Sequence, residues 1–138
     1  MATTIVTAAV IERGGGYLVT RRQKGVHLEG LWEFPGGKCQ PREELAACLA
    51  RELREELAVD ARVGREICRV AHDYPDRRIE LHFLACEIIG EPRPQMGQEM
   101  RWVRREDLAT LEFPPADVEL IRILTGDASG ENLGSVRL

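Results

Sequence analysis

The sequence is short of several features that would assign it to a class at once. Nowhere do the ~18 uncharged apolar residues of a membrane-spanning helix run together, and the opening MATTIVTAAVIERGGG has neither the basic start nor the apolar core of an export signal. These absences make a cytoplasmic enzyme or binding protein the expectation, with no membrane partner. Positive charge is also in deficit, 19 Lys and Arg against 23 Asp and Glu giving a net charge of −4. Such a chain has no global field to attract a nucleic-acid polymer, so a polyanionic ligand must be held by a local site with metal ions neutralising it. Cys39, Cys48, Cys68 and Cys86 stand singly, without a CxxC pair or a histidine at zinc-ligand spacing. They read as reduced thiols that pack. No internal repeat or low-complexity tract is visible, which excludes a solenoid.

What is present fits one domain. A length of 138 residues, 43% hydrophobic and 30% charged, suits a single core over residues 1–126, with 127–138 a mobile tail that has little to bury. Residues 4–12 and 17–22 are β-branched and apolar around the turn RGGG and read as a hairpin. Pro35 and two glycines force irregular backbone before a helix over about 41–57, with Pro41 in its first turn. ARVGREICRVAHDY and RRIELHFLACEII alternate like strands on either side of YPDR, a second hairpin. EMRWVRR reads as a short strand, REDLATL as a turn of helix, and PPADVELIRILTG as a helix started by Pro and stopped by Gly126. Strands ordered around two helices point to a layered α/β or α+β domain.

The helix carries the informative chemistry. Glu52, Glu55 and Glu56 lie at i, i+3 and i+4, so they share one patch about a turn long, near the helix end where the dipole disfavours anions. One reading is a solvated face relieved by Arg51 and Arg54. The other is a divalent-cation site, since Mg²⁺ takes carboxylate oxygens and offsets their repulsion.

The wider spacing resembles the signature box of the Nudix hydrolases, G-x5-E-x7-R-E-U-x-E-E-x-G-U with U aliphatic. Gly37, Glu43, Arg51, Glu52, Leu53, Glu55, Glu56 and Val59 fall in place. Ala58 departs where the pattern has Gly, and is absorbed if its backbone stays out of the left-handed region. TRR, WEFPGGK, YPDR and FPPAD extend the resemblance to the MutT-like branch over roughly residues 4–125. The resemblance implies a Nudix α/β/α sandwich with a mixed β-sheet and a loop-helix-loop box. It also implies Mg²⁺-dependent cleavage of a phosphoanhydride, with Mn²⁺ as a substitute. Glu52, Glu55 and Glu56 would bind the metal and activate water, with the Gly36 carbonyl as a further ligand. Arg51 would orient a carboxylate of the box, and Glu43 would be an outer member, structural or a supporting base. The branch often places another metal-binding glutamate where this chain has Met96; Glu99 is the candidate substitute.

For the substrate, the resemblance points to Arg22, His27, Glu33, Phe34, Pro35, Gly36 and Asp117. Phe34 either stacks on the base or packs in the core. Asp117 stands where the 8-oxoguanine enzymes present Asn; an ionised carboxylate only accepts hydrogen bonds, which suits the exocyclic amine of cytosine better than the O6 of 8-oxoguanine. Its alternative is to cap the last helix. The resulting expectation is a nucleoside triphosphate pyrophosphohydrolase giving a monophosphate and pyrophosphate. 8-oxo-dGTP sanitation, a DNA-repair task tied to replication, comes first, and a CTP or 5-hydroxy-CTP enzyme second. A nucleotide-binding module without catalysis is the competitor from another class. The partner is a small nucleotide, and the chain a monomer or homodimer.

Overall fold

A computed structural model describes residues 2–126; the tail expected over 127–138 lies outside the described residues. β1 (Ala2–Val10) is central to a mixed sheet, pairing in parallel with β7 (Arg77–Ile89) and antiparallel with β5 (Gly36–Lys38). β6 (Asp60–Asp73) completes that sheet as the antiparallel partner of β7, with the register shifting between Val63 and Cys68. A second sheet is built on β3 (Gly16–Arg21), which pairs with β2 (Glu12–Arg13), β4 (Trp32–Glu33) and β8 (Met100–Arg104). This is the α/β sandwich expected, with a mixed sheet.

Period-two alternation assigns the layers. Ala9, Ile11, Leu18, Leu84, Cys86 and Ile88 pack with Leu49, Leu53 and Leu57 of α1 (Leu45–Leu57). Ala8, Val10, Tyr17, Val19 and Phe83 point the other way, into a core with Leu108 and with Leu120 of α2 (Val118–Thr125). The strands are thereby filled on both faces, one helix to each.

Three local readings change. The RGGG turn does form a hairpin, with Gly14 and Gly15 both at positive φ, but it joins β2 to β3; β1 belongs to the other sheet. The first helix begins at Leu45, not near Pro41, because Arg42 sits at φ 65°, a left-handed backbone that an α-helix cannot contain. Residues 40–44 instead form a turn, closed by Glu43 N–H on the Gln40 carbonyl at 3.0 Å. Finally, Ala58 ends α1 at φ 55°, ψ 39°, donating its N–H to the Arg54 carbonyl. The left-handed conformation that was to be avoided is the one adopted, because the chain must reverse here into β6. The C-terminal stop is as read, Gly126 capping α2 at φ 75°.

A left-handed Ala costs roughly 1–2 kcal/mol, whereas Gly costs roughly 0.5–1 kcal/mol in unfolded-chain entropy. Ala58→Gly is therefore expected to stabilise the protein by about 0.5–1 kcal/mol, read as a higher urea midpoint at unchanged slope.

Candidate active site

The box folds around Arg51. Its Nε and Nη2 grip both oxygens of Glu43 at 2.8 and 2.9 Å, Nη1 donates to Glu52 at 3.0 Å and to Glu55 at 3.2 Å, and Nη2 also reaches the Lys38 carbonyl at 3.0 Å. Glu43 further accepts from the Gln40 N–H at 2.8 Å, so its carboxylate is fully engaged. These bonds, Arg51 first, lower the Glu43 carboxyl to about 2 and raise the Arg51 guanidinium above its ordinary value. Glu43 is therefore the structural member of the set. Arg54 takes no part and pairs with Asp60 instead.

The three helix glutamates do not share one environment. Glu55 is exposed and turned to Arg51, while Glu52 and Glu56 are hydrogen-bonded to each other. Burial, then the charges of Glu52 and Glu33, push the Glu56 carboxyl up to about 8, against the opposing pull of the Gly36 N–H. β5 approaches α1 so closely that a Cβ on Gly37 would meet the Glu52 carboxylate at 2.2 Å, and one on Gly36 the Thr7 carbonyl oxygen at 2.0 Å. Only glycine lets the backbone come this near the carboxylates.

Beyond Glu56 the acidic row continues. Glu33 pairs with Arg22 at 2.8 Å, yet burial still raises its carboxyl. Asp117 is 4% exposed, and burial and the Glu33 charge lift it to about 7. Asp117 holds the N-cap position of α2 but makes no capping hydrogen bond with its side chain, so the helix-cap alternative fails. A cleft of about 160 Å³ is lined by Arg22, Glu33 and Glu56, with the exposed Val26 and Met96 at its lips. A larger cavity of about 510 Å³ between Val10, Ile67 and Leu124 contains no box residue; it lacks the converging carboxylates and is not the reaction site.

Several expected contacts fall elsewhere. Phe34 is core: its ring stacks on Phe113 at 5.4 Å and stands edge-on to Phe83, leaving no face for a base. Pro35 is fully buried and its carbonyl accepts from Ala9 at 2.7 Å. His27 is an exposed loop residue whose backbone carbonyl receives the Arg22 Nε. Glu99 is ion-paired to Arg21 and Arg101 rather than turned to the box. Unforeseen were Gln23 and Gln98 in the cleft and the backbone latch on α1, where Arg93 and Gln95 donate to the carbonyls of Leu57 and Glu56 at 2.8 and 2.9 Å. The Pro/Gly loop gave no periodic signal to reveal them.

The cysteines also depart from expectation. Cys39 and Cys48 are joined by a disulfide with their Cα atoms 5.2 Å apart, because the turn after β5 brings Cys39 back over the first turn of α1; Cys68 and Cys86 are buried free thiols. Glu43 lies with the bridged sulfurs, but its oxygens are already committed to Arg51, so this group is not a metal seat.

The donor set that does suit a hard cation is Glu52, Glu56 and the Gly36 backbone, with Glu55 beside them: oxygen ligands, two adjacent carboxylates, and a glycine at 37 where a side chain would meet Glu52.

A NUDIX domain model matches residues 6–122. A CTP pyrophosphohydrolase of Escherichia coli (strain K12) is 36% identical over 117 residues, 84% of this chain and 87% of that protein. An 8-oxo-dGTP diphosphatase of Haemophilus influenzae is 36% identical over 124 residues, 88% and 91% of the two chains. The solution structure of the E. coli ORF135 protein superposes with a TM-score of 0.83 at 33% identity, covering 95% of each chain.

The raised carboxyls set a pH dependence. Glu56 and Asp117 bind their protons more tightly folded than unfolded, so the stability this contributes is fully present below their ordinary carboxylate values and is lost as pH rises through about 7 to 8. The metal-free protein should therefore melt at lower temperature at pH 8 than at pH 5.5. Added Mg²⁺ should raise the melting temperature more at pH 8, and Glu56→Gln should flatten both trends in a thermal-melt series.

Proposed function

The chain belongs to the NUDIX domain family, and from that premise we propose that it is a divalent-cation-dependent nucleoside triphosphate pyrophosphohydrolase. The observation that carries the reading is the clustering of Glu52 and Glu56 against the Gly36–Gly37 strand, an arrangement in which the two carboxylates repel unless a cation or proton lies between them. Nudix hydrolases generally use a divalent metal, and Mg²⁺ is the ion these oxygen donors fit, with Mn²⁺ as a substitute.

When bound, Mg²⁺ neutralises charge on the polyphosphate and lowers the pKa of water in the site. Glu52 and Glu56 would hold it together with the Gly36 carbonyl. Glu55, exposed and tethered only by Arg51, is free to swing toward an attacking water and take its proton. Arg51 keeps helix and loop in register through Glu43 and the Lys38 carbonyl. Attack at a phosphorus of the anhydride breaks one P–O bond. The nucleoside monophosphate and pyrophosphate then separate, with the proton retained by a carboxylate before release to solvent.

Base choice is read at Asp117 beside Glu33. With its carboxyl lifted to about 7, Asp117 is present in both forms at neutral pH. Protonated, it donates to a carbonyl such as O6 of 8-oxoguanine; ionised, it accepts from the amine of cytosine. The first form supports 8-oxo-dGTP as substrate. The second supports a CTP-type activity, and the relatives' two names span the same pair. Arg22, inside the cleft and paired with Glu33, is the side chain suited to a phosphate or base oxygen.

Two experiments test this. Pyrophosphate release from a panel of oxidised and normal triphosphates should require Mg²⁺, and Glu55→Gln or Glu56→Gln should lower kcat by at least about 100-fold with the fold intact by circular dichroism; turnover of no nucleotide, with binding retained, would instead identify a sensor. The ratio of kcat/KM for 8-oxo-dGTP over CTP should fall as pH rises through about 7, and Asp117→Asn should raise it at pH 8 and abolish its pH dependence.

A further inference from the structure

The bridge between Cys39 and Cys48 spans the seam on which the proposed metal site is built. Cys39 follows directly on β5, its N–H still bonded to the Ile5 carbonyl of β1 at 2.8 Å. Cys48 is on the buried side of α1, its sulfur 3.3 Å from the Thr7 hydroxyl and 3.9 Å from the Gly37 carbonyl oxygen. The disulfide therefore lies against the Gly37 peptide, one helical turn from Glu52 on the same face of α1. It closes a loop of 9 residue steps containing Glu43, the anchor of Arg51.

We propose that Cys39 and Cys48 form a reversible thiol–disulfide site that sets how firmly the carboxylate helix is held against the glycine strand. The coupling rests on the metal-holding role given above to Glu52, Glu56 and Gly36; the redox site itself does not. The two sulfurs differ in access, Cys39 half-buried and Cys48 wholly buried. A thiolate of a small dithiol attacks Cys39 Sγ, the bond to Cys48 breaks, and Cys48 leaves as a thiolate that takes a proton beside the Thr7 hydroxyl. The reductant's second thiolate then displaces Cys39, which is also protonated, and departs as a cyclic disulfide. Two electrons and two protons have passed to the protein, and a disulfide oxidant such as oxidised glutathione reverses the exchange. Cys68 and Cys86 stay outside this chemistry, their thiols buried and pushed up to about 12 and 11.

Once reduced, the strand and helix lose their covalent tie and are held by Arg51 and by the Gly36 N–H bond to Glu56. Thiol titration after denaturation should count two groups in protein treated with oxidised glutathione and four after dithiothreitol, matching the 4 cysteines of the chain. Reduction should lower the melting temperature by roughly 5–10 °C. It should also weaken Mn²⁺ binding, followed by electron paramagnetic resonance, about three- to tenfold, because a looser seat must be ordered by the ion. Cys39→Ser, with Cys48→Ala as a second variant, should sit at the reduced values and ignore dithiothreitol. Four thiols after oxidation, an unchanged melting temperature, or a variant that still responds to reductant overturns the redox site. Equal Mn²⁺ affinity in both states overturns the coupling. Absence of Mn²⁺ binding in either state removes the metal reading and the coupling with it, while thiol count and melting still decide the bridge.

Discussion

The Arg51 guanidinium distributes its donors among Glu43, Glu52, Glu55 and the Lys38 carbonyl, and so joins the end of β5, the turn before α1 and α1 itself. A lysine could not replace it, since a point charge cannot grip Glu43 through two parallel bonds while serving two further carboxylates. The glutamates of α1 are tolerable in the folded chain because this one cation stands among them. It neutralises Glu43 and Glu55 well and Glu56 not at all, so the repulsion that remains is concentrated at the position facing the cleft.

That residue of repulsion runs onward: the charges of Glu52 and Glu33 raise the Glu56 carboxyl, and that of Glu33 raises Asp117. A fold selected for stability alone would not set Glu33 and Glu56 in one cleft with Asp117 buried next to Glu33. Arg21 and Arg22 line the same cleft, and the Arg22–Glu33 pair leaves Glu56 without a cation of its own there.

Much of this was legible in the sequence where the information is local. The spacing from Gly37 to Val59 named the box, the alternation in β6 and β7 and their YPDR turn gave the long hairpin, and Gly126 marked the end of α2. What could not be read depends on approach between distant segments. Asp117 and Glu33 become neighbours only after β4 and α2 are placed, and Phe34 turned into core because Phe113 arrives to stack on it. The Cys39–Cys48 bridge escaped because its spacing matches no metal motif and its geometry is set by the left-handed turn at Arg42 and the late helix start. Ala58 is the instructive case: the sequence flagged the position correctly, and the backbone demand outweighed the side chain's preference.

The place of β1 in its sheet bears on how the chain is made. It precedes both partners along the chain: antiparallel β5 begins at Gly36 and parallel β7 only at Arg77. During translation β1 can meet β5 early, but its other edge stays unpaired until β7 has left the ribosome. β6 and β7 can zip together through their short turn, and pairing of β7 with β1 then joins that hairpin to the β1–β5 pair. Final closure of this sheet is therefore a late, long-range event, and it completes the layer whose β5 edge sets Gly37 beside Glu52.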